Sequence, residues 1–269
     1  MGWPELPYAD WRETRDTLHL CLQIVGKVRH TLSPEEPDWG HAPLYLTARG
    51  LNTSPIPHEN GVFDIDVDLI DHVVSVRTTK GRVDSIALEP RPVADFYAEL
   101  MGVLDAAGFP VAIDAKPSDV PGGIPFAEDF VHASYEPAWA NRFWNVLVDV
   151  DRVLKEHRAR YGGKVSPVQL WWGSFDLAYS RFSGAEQSAA GFWPGDERHP
   201  QAAFYAYTSP KPDGIEGAAL EPGGAFWSTE LGEFLLPYDA VRISADPRRA
   251  LLQFLDSAYR AGGSSRPQR

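Results

Sequence analysis

Six polar residues, Arg12, Asp16, His19, Gln23, Lys27 and His30, punctuate the stretch from Asp10 to Leu32. Their steps of three and four put them on one face of a helix. Most of the middle of the stretch is apolar: Leu18, Leu20, Cys21, Leu22, Ile24, Val25 and Val28. A helix apolar on most sides is expected to be buried. Its polar line then has to meet partners or a wet cavity, because an unpaired buried polar group costs roughly 1–3 kcal/mol. As chemistry, His19 is a candidate general base or metal ligand, with Gln23 and Lys27 placed to orient an anion or a carbonyl. The plainer reading is a buried hydrogen-bonded network or a solvated seam.

A second constellation is the carboxylate row Asp64, Asp66 and Asp68, followed by Asp71 and His72. Alternate residues on a strand stand roughly 7 Å apart on one face. With His72, these acids suit a divalent metal or an acid–base pair. The same spacing fits the wet side of an amphipathic strand. Three adjacent carboxylates repel one another and call for something cationic, for which Lys27, Arg49, solvent cations and a metal are candidates. The tight metal spacings H-x-x-x-H and H-E-x-x-H are absent.

Trp171-Trp172-Gly173-Ser174-Phe175-Asp176, then Tyr179 and Arg181, form the third group. Aromatics around Ser, Asp and Arg suit an apolar pocket with a few polar anchors, and equally a packed sheet with an internal salt bridge. Read as a strand, the run places Trp172, Ser174 and Asp176 at one parity, with Gly173 marking a bulge or a close backbone approach. Gly191-Phe192-Trp193-Pro194-Gly195 reads as a loop with exposed aromatics, a lid or a rigid turn. His41, beside Trp39, stands at a strand entrance within reach of a site, although a lone loop histidine is usually structural. His30, His58, His157 and His199 stand in polar contexts and are not selected. No nucleophile elbow, dinucleotide glycine fingerprint, P-loop or zinc-type cysteine pattern appears.

These residues need a scaffold, and 269 positions with 43% hydrophobic residues allow one large domain or two small ones. A net charge of −12 argues against a nucleic-acid or anionic-membrane partner. One cysteine cannot form an internal disulfide, so a cytoplasmic location is expected, with Cys21 a buried structural thiol. No run of 18 apolar residues occurs, the N-terminus lacks a secretory pattern, and the myristoylation pattern fails at Leu6.

Periodicity places a helix over 10–32, capped by Asp10 with Glu13 in the capping-box position and stopped at Ser33-Pro34. Strands follow at 43–51, 62–69, 73–79 and 83–88, then a helix from Val93 to Ala107. A short strand is expected at 111–115, and the Pro/Gly stretch 116–125 is the best boundary. A long helix, Pro137 to Tyr161, carries Trp139, Phe143, Leu147, Val150 and Leu154 on one stripe. One or two strands in 166–182, others at 203–208 and 235–243, and a helix from Asp246-Pro247 to about Ala261 complete the chain. The tail from Gly262 reads as disordered. Meanders bracketed by helices imply an α+β protein with mostly antiparallel sheet. The two stretches 10–108 and 125–261 share an order of elements, which suggests two similar halves around one pocket.

Trp11, Thr14, Thr17-Leu18-His19-Leu20 and Gln23-Ile24-Val25-Gly26-Lys27-Val28 make a specific run. So do Pro43 to Pro57, Asp66-Val67-Asp68, His132 to Tyr135, Asn141 to Trp144, Trp172 to Leu177, Arg181 to Gly184, Gly191 to Gly195 and Leu231 to Tyr238. Together they resemble, over nearly the full length, an uncharacterised bacterial family, a domain of unknown function of the DUF5996 type. The resemblance implies one such module and no assigned reaction. Similar members have a longer segment between Ser183-Gly184 and Gly191-Phe192-Trp193, with a Tyr-Ser-His-Glu stretch. Only Ala185 to Ala190 stand there in this chain.

The reading is a cytoplasmic protein with an aromatic-lined small-molecule pocket. His19, Asp66, Asp68 and His72 are the catalytic candidates for acid–base or metal-assisted chemistry. Gln23, Lys27, Arg49, Trp172, Ser174, Asp176, Arg181 and Trp193 are the ligand-binding ones. A proton would move on His19 or His72, a carboxylate would orient it, and Lys27 or Arg181 would hold a negative group. The rival is a non-catalytic small-molecule sensor or interaction scaffold. Sequence leaves cofactor, metal and oligomeric state open.

Overall fold

The computed structural model describes residues 2–263; the expected disorder of the tail beyond Gly263 lies outside the described residues. The chain is α+β, and every strand pair named below is antiparallel. It divides into two compact units, one of Trp11–Trp144 and Leu170–Phe175, the other of Met1–Asp10, Asn145–Gln169 and Asp176–Arg269. Among the described residues no helix is long and apolar enough to cross a membrane.

In the first unit, helix α1 (Tyr8–Leu32) precedes a sheet ordered β1 (Tyr45–Leu46), β2 (Gly50–Asn52), β4 (Gly61–Asp68), β5 (Val73–Thr78) and β6 (Val83–Ala87), with β3 (Ile56–His58) also on β4. The helix begins at Tyr8, right after Pro7, so Asp10 sits inside its first turn, where its charge suits the helix dipole, and not at the cap. As its apolar pattern demands, Leu18, Leu20, Cys21, Leu22, Ile24, Val25 and Val28 are all buried. Burial pushes the Cys21 thiol up to about 12, which makes it inert. The alternation of β4 also resolves as the side-chain period requires: Phe63, Ile65 and Val67 are buried and the three aspartates between them are half-buried. Helix α2 (Val93–Ala106) adds Val93, Phe96, Leu100 and Leu104 to this core. The expected strand at 43–51 is two short strands, β1 and β2, because Thr47 accepts amide bonds from Arg49 and Gly50 and turns the chain between them. No strand forms at 111–115; Ala112 and Asp114 are exposed, and it leads into a loop held by Lys116 N to Asp114.

In the second unit the sheet order is β12 (Phe226–Ser228), β13 (Glu233–Pro237), β11 (Ala203–Ser209), β10 (Glu186–Trp193), β9 (Asp176–Ser183) and β7 (Lys164–Val165). The loop expected at 191–195 is instead the end of β10, with Phe192 wholly buried. The small residues Ser188, Ala189, Ala190 and Gly191 hide the strand from a pattern search for alternating large apolar groups. The long helix α3 (Pro137–Ala159) buries Val146, Leu147, Val150, Val153 and Leu154. The strand expected over 235–243 ends at Pro237, whose fixed φ opens the short helix α4 (Tyr238–Arg242). Helix α5 (Pro247–Ala261) starts as expected, Asp246 accepting from the Arg249 amide at 2.9 Å.

Candidate functional site

The polar line of α1 meets two loops of its own unit. The Gln23 amide group is matched on both ends by Ser118, donating to its carbonyl at 2.9 Å and accepting from its N–H at 2.7 Å. His19 Nε2 lies 2.9 Å from the carbonyl of Trp172 and 3.0 Å from that of Gly173. The Gln23 amide nitrogen lies 3.0 Å from the same Nε2, so this ring nitrogen sits among three polar protein groups. The imidazole stacks on Phe175 with ring centres 4.6 Å apart. Lys27 pairs with Asp114 at 3.1 Å and stands over the Trp172 ring. His19, Gln23, Lys27 and Trp172 are therefore brought together, in a network whose polar atoms find protein partners.

The run expected as one strand through Trp172, Ser174 and Asp176 is broken by a turn: the Phe175 amide donates to the Trp171 carbonyl at 2.7 Å, and Phe175 has φ 64°. A bulky residue in that region is strained unless its surroundings hold it, and here a fully buried ring packed on His19 and Phe143 does so. Ser174 lies exposed on this turn. Among the described residues no backbone approaches Gly173 closely; the nearest atom to a Cβ there would be the side-chain Oδ2 of Asp119, at 3.0 Å.

The acidic row is compensated by arginines. Arg77 on β5 reaches Asp64 at 3.1 Å and also pairs with Asp66, which accepts from Asn52 at 2.6 Å. Arg49 pairs with Asp68 and with Asp71. Burial disfavours the Asp68 charge, but the Asp71 and Ile70 amides and Arg49 outweigh it and hold that carboxyl below its usual range. His72 shares a hydrogen bond with the Tyr135 hydroxyl at 2.8 Å, and burial lowers its pKa. Among the described residues, no group of three or more His, Cys, Asp or Glu has the arrangement to hold a metal ion.

Asp176, Arg181 and Trp193 belong to the second unit. Asp176 and Arg181 are five residues apart on β9, and side chains alternate along a strand, so they project from opposite faces of the sheet. On one face Asp176 accepts from Tyr205, with Glu233 raised to about 7 by burial and by the Asp176 charge. Trp193 is half-buried and stacks on His199.

The other face holds a small, partly open pocket, with about 20 Å³ of room for a water-sized sphere. Two cross-strand rows explain the space. One is Arg181, Ser188 and Thr208; the next is Tyr179, Ala190 and Ala206. Serine and alanines beside large neighbours leave room, and Ala258 of α5 extends it. His157 of α3 and Tyr259 of α5 close the wall.

Three side chains here form a hydrogen-bonded row. His157, buried, places Nε2 3.1 Å from Asp256 Oδ1, and its Nδ1 meets the Tyr179 hydroxyl. A carboxylate only accepts, so Nε2 bears the proton and Nδ1 receives the Tyr179 O–H. Burial lowers the His157 pKa against the opposing pull of Asp256, and burial raises that of Tyr179.

Arg181 stands beside them, 3% exposed. Its Nη2 donates to the His157 carbonyl at 2.6 Å and lies 3.2 Å from His157 Nδ1, while Nε and Nη1 have no hydrogen-bond partner. Among the described residues no carboxylate pairs with it. The faces of Tyr161, Tyr179 and Tyr259 surround its guanidinium at 5.3, 5.7 and 4.4 Å.

Arg181 stands among the residues singled out from sequence; His157, Asp256, Tyr259 and Ser188 do not. His157 had a readable signal: it follows Leu154 by three on the stripe Phe143, Leu147, Val150, Leu154, the buried face of α3. Asp256 lacked any, because its partner is 99 positions away in sequence.

No curated protein and no solved structure matches this chain. A family of unknown function, DUF5996, matches residues 3–189 and again 184–266. The two matches meet at the β9–β10 hairpin, where Ser183 pairs with Glu186 and only Gly184 and Ala185 make the turn. Arg181 and its cross-strand neighbour Ser188 lie two residues inside that turn. With both matches together spanning nearly all of its length, the chain belongs to the DUF5996 family of unknown function.

Proposed function

We propose that this protein is a small-molecule enzyme working by acid–base chemistry in the cavity of its second unit. The observation that carries the reading is the row Asp256–His157–Tyr179, whose histidine and tyrosine line the cavity. Its parts are in the order that proton transfer needs. Asp256 fixes the His157 tautomer and stabilises the imidazolium that forms. His157 Nδ1 takes the proton of the Tyr179 hydroxyl as the phenol oxygen takes one from the bound molecule; the reverse delivers it. One proton leaves the ligand, one ends on His157, and Asp256 stays ionised. The first unit's network round His19 supports a structural part for that histidine, because its polar contacts are made within the protein.

A non-catalytic binding module is the second reading. It is favoured by the direction of the Tyr179 shift, since a phenol held above its ordinary range by burial gives up its proton reluctantly.

The test uses the full chain in D₂O with a defined mixture of small organic acids and their neutral amides, followed by proton NMR. The enzyme reading expects one component to be converted or to exchange carbon-bound hydrogen. It also expects Tyr179→Phe and His157→Gln, each folded by circular dichroism, to slow this about 10²- to 10⁴-fold, the usual range for a general acid–base. A wild-type protein that alters no component, or a Tyr179→Phe variant that matches it, would leave the binding module as the better account.

A further inference from the structure

We infer that the ligand of this cavity is a small organic monocarboxylate, anchored by Arg181. The inference rests on the reading that the cavity is the working site. Arg181 is almost wholly buried, yet two of its three nitrogens lack hydrogen-bond partners. Buried charges are normally paired and buried donors normally bonded. Three tyrosine faces give partial compensation, as a cation over an aromatic ring does, but they accept no N–H bond of ordinary strength. A planar oxyanion is the complement of an unpaired guanidinium.

The lining fixes which anion. Arg181 is the sole arginine or lysine in it, and its histidine is kept neutral by burial. A phosphate dianion would bring two charges to one cation and leave one uncompensated; a carboxylate brings one. The rest of the wall is Ala189, Ala190, Ala206, Tyr207, Leu255 and Ala258, which suits a short apolar body. Ser188 lines the cavity in the Arg181 row, its hydroxyl 3.1 Å from that of Thr208, and offers one hydroxyl to a polar substituent. The pocket is small and partly open, so it suits a short ligand whose tail reaches the mouth and excludes a nucleotide held inside.

The experiment titrates the full chain by NMR and calorimetry with butyrate, butyramide and inorganic phosphate as probes. Two variants accompany it: Arg181→Met, which removes the cation, and Ala258→Leu, which fills the cavity and leaves Arg181 in place. Butyrate should bind and the other two should not. Arg181→Met should weaken butyrate about 10- to 100-fold, the range for loss of a charged hydrogen-bonding partner, and Ala258→Leu should abolish binding. Arg181→Met should also melt at or above the wild-type temperature without ligand, which separates lost binding from lost folding. Butyramide binding as well as butyrate, with both lost in Ala258→Leu, would overturn the carboxylate assignment and leave the cavity reading standing. Phosphate binding in preference to butyrate would overturn it likewise. Butyrate binding that Ala258→Leu leaves unchanged, or no binding of any probe, would remove both.

Discussion

Glu233 offers the sharpest quantitative test of how the second sheet is built. Burial first, and the Asp176 charge second, raise its carboxyl from 4.5 to about 7. Holding a proton that much more tightly in the folded chain than in the unfolded one corresponds to about 3 kcal/mol, taken as an upper figure. The sign follows from the direction. A folded value above the unfolded one contributes stability that is fully present below pH 4.5 and is lost as pH rises through about 7. Glu233→Gln keeps the shape and removes the titration. At pH 4.5 it should match the wild type, and by pH 8 it should be the more stable, by up to about 3 kcal/mol, with a melting temperature several degrees higher. Asp176→Asn removes the neighbouring charge and should shrink the same pH dependence in the wild-type Glu233 background. Paired melts at pH 4.5, 6 and 8 measure all of this. A gap between wild type and Glu233→Gln that is equal at pH 4.5 and pH 8 would show that this carboxyl is solvated, and the account of that face would fall.

Two further predictions follow from packing and titration. At Gly26 of α1 a Cβ would stand 2.2 Å from Cδ1 of Trp172, whose indole N–H donates to the Ala42 carbonyl at 2.8 Å; Gly26→Ala should therefore destabilise by about 1–3 kcal/mol in urea unfolding despite alanine's better helix propensity, whereas a gain of about 1 kcal/mol would mean that Trp172 does not pack there. His157 is held below its ordinary value by burial, so the stability it contributes is present above about pH 6.5 and is lost as pH falls toward its folded value; His157→Gln should flatten that acid-side decline, and an unchanged decline would place its origin in His30 or His72, which burial lowers too.

How much of this was legible in the chain depends on the range of the interaction concerned. Periodicity is local, so α1, β4 and α3 could be placed within a residue or two from the spacing of their apolar residues. Strand β10 could not, because Ser188, Ala189, Ala190 and Gly191 carry no alternation of large and polar groups. The turn at 172–175 was hidden for a related reason: a buried Phe175 at positive φ contradicts the local preference and is held by packing on His19, 156 positions earlier in sequence. The acidic row was visible as a need for cations, and Arg49 was a candidate for it; Arg77 supplies the rest from β5, through a strand register that the residues themselves do not announce.

The contrast between Gln23 and Arg181 shows why residue type alone could not rank the two polar clusters. Both are polar side chains in apolar surroundings, and both are buried. Gln23 is matched at its carbonyl and at its amide by one backbone residue, Ser118, so the α1 line stabilises a loop and leaves little to offer a ligand. Arg181 spends one nitrogen on the His157 carbonyl and keeps two without partners, beside space left by alanines. An unsatisfied buried cation destabilises the protein, and a bound anion would offset part of that cost after its own desolvation. The site therefore announces itself through what folding leaves undone, a quantity that exists only after the strands are paired and the helices have settled.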